Sequence, residues 1–259
     1  MATLEENVRQ ANSDFNAIKA KIVEKGVEIA EGTKTEEYAV KVGKVYDKGR
    51  QDYQDKFWGV MTNYGKGNID MRSSFGGEGW TDENFTPLYD FKPRYAKNMF
   101  FASHITNLAK CFEDYGTKLD VSLITSATDM FSFSTITRIP YLDFSSLTSL
   151  GYAFDNMTSL EIIDGIKITE KCTAFGSAFR GVKNLRRMIV SGTISVSGLD
   201  LHWSVLLDKE SITSIINALS STTNGLTITL SQTAVNNVFT TEEWNTLIAT
   251  KPNWTISLS

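Results

Sequence analysis

The 259-residue chain holds two cysteines, Cys111 and Cys172, and two histidines, His104 and His202. Two thiols cannot build a disulfide framework or a zinc knuckle. They read as small buried hydrophobes rather than nucleophiles, and the histidines read as packed or surface groups. No apolar run approaches the ~18 residues of a membrane-spanning helix, so no membrane insertion is expected. The opening MATLEENVRQ is acidic and lacks the apolar core of a secretory signal. A net charge of −4 leaves no basic footprint for nucleic acid. GxSxG, HExxH and paired CxxC are all missing, and the Gly76, Gly77, Gly79 cluster lacks the Gly-Lys-Ser/Thr ending of a phosphate loop. No metal or cofactor is expected, and the chain reads as non-enzymatic. What is abundant is apolar: 41% hydrophobic against 22% charged residues excludes bulk disorder, and the length suits one or two domains.

The first third reads as helix. Thr3 and Glu6 form a capping box. Leu4, Val8, Ala11, Phe15, Ile18 and Ile22 then follow at alternating spacings of four and three, a heptad seam. Two readings fit it: an amphipathic helix packed on its own domain, or a parallel coiled coil between copies. A second helical stretch begins near Thr33 and carries its apolar positions from Tyr38 to Met61. Residues 1–66 are therefore expected to be a helical stalk that oligomerises. Residues 67–98, with NYGKGN (63–68) across their start and SSFGGEGW within, read as a glycine-rich linker pinned by Trp80, Phe85, Pro87, Tyr89 and Phe91.

From residue 99 onward the chain repeats. GYAFDNMTSLEIIDGIKI (151–168) aligns with GSAFRGVKNLRRMIV (176–190) at a 25-residue offset, placing Phe154 with Phe179, Leu160 with Leu185 and Ile163 with Met188. Met130, Phe131, Ile136, Ile139, Leu142 and Phe144 make an earlier copy, and Cys111 and Phe112 open a weaker one. INALSSTTNGLTITL (216–230) aligns with WNTLIATKPNWTISL (244–258) at an offset of 28, each a helix, a turn and a strand. Asp208 caps the first of these helices and a Thr240–Glu243 box the second. Leu226–Leu230 and Trp254–Leu258 alternate as half-buried strands do. Such periods fall in the leucine-rich-repeat range. The expected fold is α+β: a helical coiled-coil stalk, then a leucine-rich-repeat solenoid over 99–259 with short parallel strands, its last two helix–strand units at 208–259.

Aromatic and basic residues among polar ones suggest a ligand surface: Tyr141, Tyr152, Arg180, Arg186, Arg187 and Trp203. Asp120, Asp129, Asp143, Asp155 and Asp164 recur along the repeats, either as turn residues or as carboxylates of a glycan depolymerase.

The Ala-Phe…Leu…Ile…Ile unit resembles the BspA-type leucine-rich repeat of bacterial surface proteins. EYAVKVGKVYDKGRQDYQDKFW (37–58), GEGWTDENFTP (77–87), ITRIPYLDFSSLTSLGYAF (136–154), LDKESITSIINALS (207–220) and KPNWTISL (251–258) resemble leucine-rich-repeat proteins of tailed phages and prophages of Gram-positive gut bacteria. That resemblance implies a non-enzymatic tail-fibre or baseplate-associated protein that binds a glycan or protein receptor on the host surface. It also implies a homotrimer joined to other tail proteins through the N-terminal region, assembled in the host cytoplasm and carried in the virion. The alternatives are a structural tail spacer without ligand, a prophage- or host-encoded adhesin, and a glycan depolymerase.

Overall fold

A computed structural model describes residues 71–83, 85, 87 and 90–259. The Leu4–Ile22 seam, the Tyr38–Met61 stretch, and with them the stalk over 1–66 and the trimer, lie outside the described residues. The described elements, in order, are α1 (Leu108–Asp114), β1 (Arg138–Ile139), β2 (Leu142–Phe144), β3 (Ile162–Ile168), β4 (Arg187–Gly192), β5 (Asp200–Leu201), α2 (Lys209–Ala218), β6 (Leu226–Leu230), α3 (Gln232–Val238), α4 (Thr241–Ile248) and β7 (Trp254–Leu258).

One seven-residue turn recurs at 71–77, 96–102, 127–133, 150–156 and 175–181. Alternate N–H groups of each turn donate to carbonyls of the next: Phe75 to Met99 (2.8 Å), Phe100 to Met130 (2.7 Å), Phe131 to Ala153 and Phe154 to Ala178 (both 2.9 Å). The fifth residue of every turn is a buried phenylalanine. Phe75, Phe100, Phe131, Phe154 and Phe179 stack with centroids 5.4, 5.5, 5.4 and 4.9 Å apart and planes within 22°. One turn could not cover its own ring, whereas stacked turns cover each ring from both sides. The third and seventh residues of each turn sit in the left-handed region. Ser73, Asn98, Asp129, Tyr152 and Ser177 occupy the third place, and Gly77, Ala102, Phe133, Asn156 and Gly181 the seventh.

After the turns the chain runs out into strands that lie side by side. β1 and β2 both pair in parallel with β3 (Ile139↔Ile163, Phe144↔Ile168), and β3 pairs in parallel with β4 (Ile163↔Met188). Leu160 and Leu185, one offset apart, are fully buried. At the end of β4, Gly192 has φ +87°, and a Cβ there would lie 1.9 Å from the Ile168 carbonyl oxygen. This sheet stops at β4 because the chain then offers a helix where a strand would lie. The Ser211 and Ser214 hydroxyls of α2 accept from the Met188 and Val190 N–H groups, each at 2.9 Å, which satisfies edge donors of β4. The second sheet, β5–β6–β7, is also parallel, with Thr227↔Thr255 and Leu230↔Leu258 in register. Asp208 caps α2 through the Ser211 N–H, and both halves of the Thr240–Glu243 box are made at α4. Helix α3, capped by Ser231, comes in addition to the helices expected.

The described residues of the expected linker pack instead in the same compact unit as the later turns, and Tyr89 lies outside the described residues. Residues 71–77 are the first turn of the stack. Phe85 and Phe91 are buried against Phe75 (5.1 and 5.2 Å) and close the stack's end. The Asp82 carboxylate accepts from the N–H of Thr106 (2.8 Å) and Asn107 (3.3 Å), clamping one turn to the next. The weak copy expected at Cys111 and Phe112 is likewise displaced. Both residues lie on α1, Phe112 meets Phe85 and Phe91 edge-on, and Phe100 takes the place beneath Phe131.

Candidate functional site

The large exposed apolar residues include Phe101, Phe133, Tyr152 and Trp203. The first three belong to the recurring turns. Phe101 and Phe133 project from adjacent turns and touch, centroids 5.7 Å apart. The Phe133 N–H donates to the Asp155 carbonyl at 2.9 Å. Asp155, itself buried, receives the Arg180 guanidinium in a fork at 2.8 and 2.6 Å. Arg180 also lies over the Tyr152 ring, 5.6 Å from its centroid. Three residues on, Lys183 lies 5.3 Å from the Trp203 ring centroid, and the Ser204 hydroxyl ties that segment to the Val182 carbonyl (3.0 Å). His202 leans on Trp203 and pairs its Nδ1 with Asp200 at 2.7 Å. The result is an edge of successive turns carrying aromatic faces, a guanidinium and an ammonium.

Two of these aromatics are costly where they stand. Phe133 (φ +60°) and Tyr152 (φ +56°) hold left-handed backbone, which disfavours bulky side chains. At the same positions the other turns place glycine, alanine and asparagine (seventh) or serine, asparagine and aspartate (third). Phe133 is 52% exposed and Tyr152 43%, so burial does not offset the strain.

Of the six expected surface residues, the structure brings Tyr152 and Arg180 together and places Trp203 a little further along the chain's path. Tyr141 stands apart at the start of β2, its ring against Gly165 of β3. Arg186 pairs with Glu161, and Arg187 with Asp208 (3.2 Å) and Glu210 (2.8 Å). These pairs tie successive turns and occupy the guanidinium groups. Sequence reasoning missed Phe101 and Phe133, since a phenylalanine suggests core. The signal was in the alignment of turns, which sets Phe133 opposite Gly77, Ala102, Asn156 and Gly181.

The recurring aspartates are engaged. Asp164 takes the Arg138 fork (2.8 and 3.1 Å), and Asp129 accepts from the Ser132 hydroxyl at 3.3 Å. Partial burial pushes the Asp120 and Asp143 carboxyls up. The Ser122 hydroxyl with Lys92, and the Ser145 hydroxyl with Lys167, outweigh it and leave both below the usual range. Glycoside hydrolysis by a carboxyl pair needs one acid held protonated, which is the opposite shift. Burial, with Asp82 close by, pushes the Cys111 thiol up to about 12, and burial raises Cys172 as well. Neither forms a thiolate near neutrality. Among the described residues no group of three potential ligands is placed to hold a metal ion, and no helix is long and apolar enough to cross a membrane.

Comparison of the chain with protein-family models, with curated proteins and with solved structures finds no match.

Proposed function

We propose that this chain is a non-enzymatic receptor-binding protein of a phage tail fibre or baseplate, built as a leucine-rich-repeat solenoid on an oligomerising N-terminal stalk. In this reading the aromatic edge contacts the host cell surface. The observation that carries it is the pair of bulky aromatics, Phe133 and Tyr152, exposed and in left-handed backbone where neighbouring turns use small or polar residues. Strain retained without burial points to work other than folding. Aromatic faces flanked by Arg180 and Lys183 suit recognition by stacking, cation–π contact and hydrogen bonding. Parallel pairing of strands at 24- to 28-residue offsets supports the repeat assignment. The homotrimer, its tail partners and its place in the virion rest on the resemblance and on the seam Leu4–Ile22.

The test is binding of the fluorescently labelled full chain to Gram-positive gut bacteria. Phe133→Asn with Tyr152→Asn should cut cell-bound signal at least tenfold while leaving the melting temperature at or above that of the wild type. Full retention of binding by the double variant would overturn the assignment of this edge. Failure of the wild type to bind any strain in a broad panel would favour the spacer.

A further inference from the structure

A second feature lies away from the aromatic edge: a groove of about 480 Å³ between α1, the 117–122 segment and the start of β2. Its size is that of a small-ligand site. Phe112 and Leu119, both buried, give it an apolar floor. Tyr141, 49% exposed, forms one wall. Gly165 fixes that ring, because a Cβ there would come within 2.9 Å of the tyrosine Cδ2. The glycine thus lets the ring lie close on the sheet and keep the rest of its surface open. The Tyr141 hydroxyl makes no hydrogen bond to another described residue.

The polar rim is rich in acceptors but balanced in charge. Glu113, Asp120 and Asp143 line the groove. Each has a cation from outside the lining beside it: Lys92 at 2.9 Å for Asp120, Lys167 at 3.3 Å for Asp143, and for Glu113 the Arg138 guanidinium at 3.3 Å, which is shared with Asp164. Lys118, the one lining cation, faces Asp90 at 4.0 Å. A cationic ligand would therefore meet little uncompensated negative charge, and an anion would meet three carboxylates. What the groove offers is a flat aromatic platform, an apolar floor, carboxylate oxygens that accept, and a phenol and an ammonium that donate.

We infer that this groove is a binding subsite for a neutral saccharide, whose ring stacks on Tyr141 and whose hydroxyls donate to Asp143 and Asp120. Pyranose rings present an apolar C–H face and a rim of hydroxyls, and the groove supplies a partner for each. The inference stands whether or not the aromatic edge binds a receptor.

The experiment titrates the full chain with neutral hexasaccharides of glucose, galactose, mannose and N-acetylglucosamine, followed by NMR or calorimetry, with hexagalacturonate as the charged counterpart. At least one neutral hexasaccharide should bind, and hexagalacturonate should bind at least tenfold more weakly. Tyr141→Ala should weaken binding tenfold or more and Asp143→Asn severalfold, while Tyr141→Phe should stay within about threefold of wild type. Tyr141→Ala and Tyr141→Phe should melt like the wild type, whereas Asp143→Asn gives up the Lys167 pair and a Ser145 hydrogen bond, so its binding is compared with that of Tyr141→Ala at a temperature below both melting transitions. Phe133→Asn should leave saccharide binding unchanged. Absence of binding by all four neutral sugars, or equal binding by wild type and Tyr141→Ala, would overturn the subsite. Either result leaves the aromatic edge to be judged by cell binding alone.

Discussion

Phe131 and Phe133 stand two residues apart in the same turn, and replacing them should move stability in opposite senses. Phe131 is fully buried, sandwiched between Phe100 (5.5 Å) and Phe154 (5.4 Å). Phe131→Ala removes a whole ring from the middle of the stack, where the flanking turns are held by backbone hydrogen bonds and cannot close the gap. The cost should be ~3–5 kcal/mol. Phe133 has its ring about half in water and its backbone at φ +60°. Left-handed backbone costs an ordinary residue roughly 1–2 kcal/mol, and asparagine tolerates it better. Against that gain stands the Phe101 contact, worth about 0.5 kcal/mol at an exposed site. Phe133→Asn should therefore leave stability unchanged or raise it by up to about 1 kcal/mol. In a unit of this size each kcal/mol moves the midpoint by roughly 2–4 °C. Thermal unfolding by circular dichroism should thus show a fall of roughly 6–20 °C for Phe131→Ala and none for Phe133→Asn. Repeat arrays need not melt in one step, so near- and far-ultraviolet signals should be compared. A loss above ~1 kcal/mol in Phe133→Asn would show that the exposed ring supports the fold, and the argument from strain would fail.

The remaining predictions test other parts of the structure. Gly192→Ala should destabilise the β3–β4 pairing and lower the melting midpoint, since its Cβ meets backbone at Ile168 rather than a side chain that could move. Arg180→Ala leaves the buried Asp155 carboxylate without its fork and should lower the melting midpoint, so any loss of binding in that variant must be read against its melting curve. Neither Cys111 nor Cys172 should react with a thiol reagent at pH 8 in the native protein, while both should react in urea; fast native labelling would refute their burial. The carboxyls of Asp82, Asp120 and Asp143 are held low in the folded protein. Their contribution to stability is therefore fully present above the ordinary aspartate value of about 3.9 and is lost as pH falls through the depressed native values. The melting midpoint should not decline on this account until the pH drops below about 4, and a decline already at pH 6 would point to other groups.

The elements that sequence reasoning placed well are those whose signals are local. LTITL and WTISL alternate over five residues, and β6 and β7 occupy Leu226–Leu230 and Trp254–Leu258. Asp208 and Thr240 announce helices because a cap is a contact between near neighbours. The 25-residue offset was legible because two turns share the pair Ala-Phe, and Ile163 and Met188 are indeed paired across β3 and β4. Where the turns lose that pair, the sequence misleads. In 71–77 only Phe75 marks the fifth position, and glycines on either side give the stretch the look of a linker. Between Phe100 and Phe131 the spacing swells because α1 is inserted there. Phe112 then falls at a more regular distance from Phe131 than the true stacking partner does.

The candidate site was harder to read, for a physical reason. Exposure follows from backbone direction, and each of these turns redirects the chain at two left-handed residues, the third and the seventh. Phe131 and Phe133 are the same residue type two positions apart, yet one is core and the other edge. Composition and hydrophobic periodicity assign both to the core. Only the column of equivalent positions separates them. A place held by glycine, alanine or asparagine in every other turn is a place where the fold asks for little side chain. Packing does not call for a large aromatic there, and the same reasoning applies to Tyr152 at the third position. Sheet-face residues escape this rule, since a strand tolerates any bulky side chain. Tyr141 is singled out instead by what it lies against, a glycine in the neighbouring strand. That pairing joins residues 24 positions apart and became visible only once β2 and β3 were in register. Both surfaces thus come from the repeat, one from its turns and one from its strands, and substitutions at one should leave the other intact.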